Sequence, residues 1–78
     1  MITIAVIDDE DTARTMTGRI LSRNGYRVQV FESGLPFLQA MEQEPFDIAF
    51  LDLQLPDMGG LEILTHIKAM HRETQVII

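Results

Sequence analysis

At 78 residues, the chain has room for one domain and a core near the lower limit of independent stability. Its 46% hydrophobic and 23% charged residues describe a globular composition, and the absence of cysteine excludes a disulfide framework, thiol chemistry and a Cys-based zinc site. The net charge of −6 weighs against direct, non-specific nucleic-acid binding. The longest apolar run is too short to span a bilayer and no signal-peptide pattern opens the chain, which points to a cytoplasmic protein without a membrane partner.

Residues 2–7 form an apolar run broken only by Thr3, and predict a buried strand that ends in Asp8-Asp9-Glu10-Asp11. A helix is expected from Asp11 or Thr12, with Ala13, Met16, Ile20 and Leu21 on one face and Arg14, Arg19 and Arg23 solvated. Asn24-Gly25 stops it, Gly25 suiting the left-handed position just past a helix end. Residues 27–31 read as a short strand through Val28, Val30 and Phe31. Ser33 is placed to cap a second helix that runs to about Gln43, with Pro36 tolerable in its first turn.

The most informative stretch follows Pro45. Ile48-Ala49-Phe50-Leu51 is bounded by Asp47 and Asp52 and does not alternate, so it reads as a strand buried on both faces. The chain then turns through Pro56-Asp57-Met58-Gly59-Gly60, and Asp47 and Asp57 are expected to serve turns. A third helix is predicted over about residues 60–71, with Leu61, Leu64, Ile67 and Met70 inward. His66 and His71 on it have no paired metal-ligand spacing and read as exposed polar positions. Residues 75–78 begin a fourth strand.

The alternation βαβαβαβ implies an α/β fold, a doubly wound parallel sheet with right-handed crossovers. With the first strand between the second and third, the flavodoxin-like order 2-1-3-4 puts Asp8 and Asp9 beside Asp52 at the carboxyl edge, at the switch point where such sheets bind ligands. Two unit charges about 5 Å apart repel by roughly 3 kcal/mol at an effective dielectric near 20. A divalent cation relieves that repulsion, and all-oxygen ligation suits Mg²⁺ or Mn²⁺. The competing account of Asp8 to Asp11 is that they only cap and charge-match a helix N-terminus. Asp52, at the end of a second apolar strand, favours a site.

Three segments carry a resemblance to a known family: Ala5-Val6-Ile7-Asp8-Asp9-Glu10, Asp52 after its strand, and Leu55-Pro56-Asp57-Met58-Gly59-Gly60-Leu61. Together, at this separation, they resemble the receiver domain of two-component response regulators. The resemblance covers the N-terminal two-thirds of that domain and implies that residues 1–78 are a receiver truncated after the start of its fourth strand, without the fifth strand and the last two helices. It implies that Asp52 is the phosphoacceptor, taking a phosphoryl group from a histidine kinase or phosphotransfer protein in a domain that is not a free-standing enzyme. It further implies that Asp9 and Asp52 bind Mg²⁺ directly, Asp8 through water, and the Gln54 backbone carbonyl completes the ligands. The first helix would be the kinase-docking surface. The family's Thr or Ser after the fourth strand and Lys after the fifth fall outside these residues, so phosphorylation of the 78-residue chain is expected to be impaired.

Two other functional classes remain. A non-phosphorylated pseudo-receiver acting as an interaction or oligomerisation module is opposed in the parent domain by the intact Asp8, Asp9 and Asp52, and stays open for residues 1–78, which lack the family's phosphate-binding Thr or Ser and Lys. A haloacid-dehalogenase-like phosphatase would need a second Asp two residues after its nucleophile, where Gln54 stands. The uncovered apolar side of the third and fourth strands further predicts self-association of this chain.

Overall fold

In the computed structural model, which describes residues 1–71 and 73–78, four strands alternate with three helices. They are β1 (Thr3–Ile7), α1 (Asp11–Arg23), β2 (Arg27–Phe31), α2 (Gly34–Gln43), β3 (Ile48–Leu51), α3 (Gly60–Met70) and β4 (Gln75–Ile77). All strand pairs are parallel, as the alternation predicts, and the sheet order is β2-β1-β3-β4, the flavodoxin-like order expected.

The central β1 is buried from Ile4 to Ile7, its side chains alternating between the two faces of the sheet. Ala5 and Ile7 join Ala49 and Leu51 of β3 in one core with Phe37, Leu38 and Met41 of α2 and Ile63 and Ile67 of α3. Phe31, Phe37 and Phe46 close one end of that core, with ring centroids 5.6 to 6.1 Å apart. The other face is thinner. There α1 packs against β1 and β2, while Ile48 and Phe50 of β3 stay half-buried and Ile77 of β4 is 45% exposed. The non-alternating run therefore does not mark a strand buried on both faces; only its α2–α3 side is sealed.

Two helix phases differ from the periodicity reading. In α1 the sheet-facing stripe is Ala13, Thr17, Gly18 and Leu21, and Met16 and Ile20 are more than half exposed. Small residues set that phase because α1 lies close to Val28 and Val30 of β2. In α3 the stripe is Gly60, Ile63, Ile67 and Met70, with Leu64 half-buried and Leu61 76% exposed. Its phase follows from Ile63, which packs against the start of α2 at Gly34.

Ends and turns account for further differences. Gly25 takes φ +91° just past α1, the left-handed geometry expected of it. Ser33 occupies the cap position of α2, but its hydroxyl makes no capping bond. The Asp57 carboxylate instead accepts the N–H groups of Gly34 and Leu35, each at 2.8 Å. Asp47 ties the start of β1 to β3 by accepting the Thr3 N–H at 2.8 Å and the Thr3 hydroxyl at 3.2 Å. His71 is half-buried rather than exposed: its Nε2 lies 3.1 Å from the carbonyl of Met41, in the last turn of α2, where helix carbonyls lack intrahelical partners.

Candidate functional site: an acidic centre at the carboxyl edge

The β1 ladder continues one residue beyond its strands. Ile7 is in register with Leu51; the Asp52 N–H then donates to the Ile7 carbonyl at 3.0 Å, and the Asp8 N–H to the Phe31 carbonyl at 3.0 Å. The backbone thus brings Asp8 and Asp52 side by side on adjacent central strands, with Asp9 leading into α1. One carboxylate oxygen from each of Asp8, Asp9 and Asp52 lies within 4.8 Å of the others. Asp8 and Asp52 are half-buried and Asp9 is exposed.

Capping does not account for this cluster. Glu10 is the cap of α1, its carboxylate accepting the Ala13 N–H at 3.2 and 3.3 Å, and Asp11 supplies the acidic charge of the first turn. Asp8 Oδ1 accepts the Glu10 N–H at 3.0 Å and Asp52 Oδ1 the Gln54 N–H at 3.0 Å, which orient both carboxylates without neutralising them. The donor set fits a hard divalent cation. Ligands at about 2.1 Å in an octahedron stand roughly 3 Å apart when adjacent and 4.2 Å when opposite. The three oxygens, all within 4.8 Å of one another, stand close to that span.

The loop after Asp52 is held on itself. Gln54 and Gly59 form an antiparallel bridge, and the Gly60 N–H donates to the Leu53 carbonyl at 3.2 Å. A depression of about 370 Å³ opens beside the cluster, lined by Asp8 and Asp52 and by the apolar Val6, Phe50, Ile77 and Ile78. A larger one, about 490 Å³, is lined by Thr3, Arg27 and Pro45 at the other end of the strands and is remote from the carboxylates.

Two residues at this edge escaped the sequence reading. Arg14 is not solvated: its side chain is 14% exposed, and it donates to the Asp8 carbonyl at 2.9 Å and pairs with the Asp11 carboxylate. Its i+3 spacing from Asp11 was the available signal. Asp57 holds α2 across 23 residues, a relation no local pattern announces. The two backbone N–H groups of Gly34 and Leu35 hold its carboxyl below the ordinary value of 3.8, against a small opposing effect of burial.

A doubly wound parallel sheet with three converging carboxylates at its switch point defines a flavodoxin-like α/β domain with an acidic centre. The sequence profile of the response regulator receiver domain matches residues 4–78, and the chain belongs to that family. It is 31% identical over 75 residues to sporulation initiation phosphotransferase F of Bacillus subtilis, covering 96% of this chain and 60% of that protein. It is 32% identical over 75 residues to the transcriptional regulatory protein CreB of Escherichia coli, covering 96% of this chain and 33% of that protein. The response regulator TrrA of Thermotoga maritima, solved in complex with Mg²⁺-BeF, superposes with a TM-score of 0.92 at 28% identity, covering all of this chain and 68% of that one. The complex of histidine kinase ThkA with TrrA gives 0.88 at 28% identity, covering 97% of this chain and 66% of that one.

The chain therefore spans 60% or less of these two curated relatives. Receiver domains of two-component systems are in general phosphoacceptors rather than free-standing enzymes; they bind Mg²⁺ at an Asp cluster and interact with histidine kinases. Among the described residues, no helix is long and apolar enough to cross a membrane.

Proposed function

We propose that Asp52 is the phosphoacceptor of this chain, receiving its phosphoryl group from the phosphohistidine of a histidine kinase or phosphotransfer protein. The observation that supports this most is the convergence of Asp8, Asp9 and Asp52 at the sheet edge while Glu10 alone caps α1. In the transfer, an Asp52 carboxylate oxygen attacks phosphorus as the bond from phosphorus to the donor imidazole breaks. The imidazole leaves with the electron pair and takes up a proton, and Asp52 becomes an aspartyl phosphate. A bound Mg²⁺ or Mn²⁺ supplies neutralisation of the phosphoryl and carboxylate charge. Asp9 and Asp52 are the proposed direct ligands, Asp8 acts through water, and the Gln54 carbonyl completes the protein's share. The Gln54 N–H, already on Asp52 Oδ1, fixes the acceptor carboxylate for attack.

Incubating the protein with Mg²⁺ and acetyl phosphate, followed by intact mass measurement, tests the assignment. In a complete receiver containing this sequence the expected product is one added phosphoryl group, absent from Asp52→Asn. An Asp52→Asn variant labelled like the parent refutes it. For residues 1–78 alone, labelling is expected to be slow or absent, since the family's phosphate-binding Thr or Ser and Lys positions lie outside them.

A second reading concerns the thin face of the sheet. Ile48 and Phe50 are half-buried, and Ile77 and Ile78 are exposed along the depression beside α1. Fully burying such side chains is worth about 1.5–3 kcal/mol each, a large part of the roughly 5–15 kcal/mol that holds a domain folded. The 78-residue chain is accordingly proposed to self-associate through this face.

A further inference from the structure

The carboxylates do not set their own geometry. Asp8 is held at three points: its N–H by the Phe31 carbonyl, its Oδ1 by the Glu10 N–H, and its carbonyl by a guanidinium N–H of Arg14 at 2.9 Å. The last of these fixes the Asp8–Asp9 peptide, and so the direction in which Asp9 leaves the strand. The competing account of Arg14 is an i,i+3 surface pair with Asp11, which adds little to stability. Burial argues otherwise: the Arg14 side chain is 14% exposed and that of Asp11 84%, so the guanidinium is drawn inward to the Asp8 carbonyl. A cation withdrawn from water needs such partners, and Asp11 supplies the balancing charge from the solvent side.

We propose that Arg14 is a positioning residue of the acidic centre, holding the Asp8–Asp9 peptide so that both carboxylates converge with Asp52 on a divalent cation. The proposal rests on the assignment of that centre as a metal site. Arg14 also carries a positive charge close to the cluster, and by itself that charge opposes cation binding. Positioning and charge therefore predict opposite signs for its removal: lost positioning weakens metal binding, whereas lost charge tightens it. Removal of groups that orient metal ligands typically costs 10–100-fold in affinity.

The test is a Mn²⁺ titration of the 78-residue chain read by electron paramagnetic resonance, with metal-free thermal unfolding in parallel. Arg14→Met is expected to raise the dissociation constant about tenfold or more. Arg14→Lys, which keeps one donor able to reach the carbonyl, recovers part of that loss, and Arg19→Met, an exposed change on the same helix, has no effect. Arg14→Met binding as tightly as the parent or more tightly overturns the proposal, as does a Lys variant that recovers nothing. Should Arg14→Met not fold, Arg14→Leu, which likewise carries no donor, takes its place with the same expected and overturning results. A parent chain that binds no Mn²⁺ overturns the metal assignment itself, an outcome distinct from a binding parent and an unaffected variant.

Discussion

Asp57 offers a sharp measurement of how the loop after Asp52 is tied to the rest of the domain. Its two carboxylate oxygens accept the N–H groups of Gly34 and Leu35, both at 2.8 Å, at the start of α2. Replacing a capping Asp by Ala typically costs about 0.5–2 kcal/mol. The presence of two charge-assisted bonds argues for the upper part of that range, and the exposure of Asp57 argues for a discount. Asp57→Ala is therefore expected to lose about 1.5 kcal/mol at pH 7. In a domain of this size, that is a fall in Tm of roughly 6–12 °C. Asp57→Asn keeps one acceptor oxygen, and about half of that loss is expected.

The pH dependence supplies a second, independent sign. The carboxyl of Asp57 is held below 3.8 in the folded protein, first by the Gly34 N–H and then by the Leu35 N–H. A depressed folded value means that its stabilisation is complete above the unfolded pKa and is lost as pH falls through the folded one. The stability difference between the parent and Asp57→Asn should thus be constant from pH 7 down to about 4 and shrink below it. Urea denaturation at pH 7, 4 and 2.5 measures it. An Asp57→Ala variant within about 0.3 kcal/mol of the parent at pH 7 would refute the capping role, since that lies below the least a cap contributes. A difference that persists in full at pH 2.5 would refute the electrostatic part.

Asp9→Ala should abolish Mg²⁺ binding, because the ion would lose the direct carboxylate ligand proposed for it; unchanged affinity on titration would mean the site is misplaced. Multi-angle light scattering of the 78-residue chain is expected to show a species larger than the 8.9 kDa monomer, and a stable monomer that unfolds cooperatively would remove the self-association reading.

The parallel sheet and the two carboxylate-tipped strands were legible because apolar runs ending in Asp8 and Asp52 fix two strand ends and the alternation implies right-handed parallel crossovers. The strand order that brings those ends together came from the known flavodoxin-like arrangement rather than from the local pattern. The helix phases were less legible. Periodicity counts apolar residues, but the faces of α1 and α3 were decided by close approach at Gly18 and Gly34, where absent side chains let another element in. Capping was partly hidden for a related reason. Ser33 has the right chemistry in the right place, yet the N–H groups of α2 go to a carboxylate that only the folded loop delivers. Arg14 reads in the sequence as solvated together with Arg19 and Arg23, because its burial depends on how α1 sits over the end of β1.

The adjacent glycines at the end of this loop allow the same reasoning to be tested with a matched pair. A Cβ on Gly60 would stand 2.5 Å from Leu53 Cδ2 and 2.9 Å from Leu53 Cα. The methyl carbon can rotate away, but the backbone carbon can move only if the Leu53–Gln54 segment moves with it. That segment lies next to Asp52 and includes both the Gln54 N–H on Asp52 Oδ1 and the carbonyl proposed as a metal ligand. Gly60→Ala should therefore cost about 1–3 kcal/mol, as overpacking does, and should weaken Mn²⁺ binding as well. Gly59, one residue earlier, meets nothing within 4 Å and has φ −76°, a value any L-residue adopts. Gly59→Ala is expected to be neutral or to stabilise by up to about 1 kcal/mol by restricting the unfolded chain. Urea denaturation and Mn²⁺ titration of the two variants side by side decide the matter. If they behave alike in both assays, the Leu53 backbone is not what confines residue 60, and the loop is not held against Asp52 in the way described.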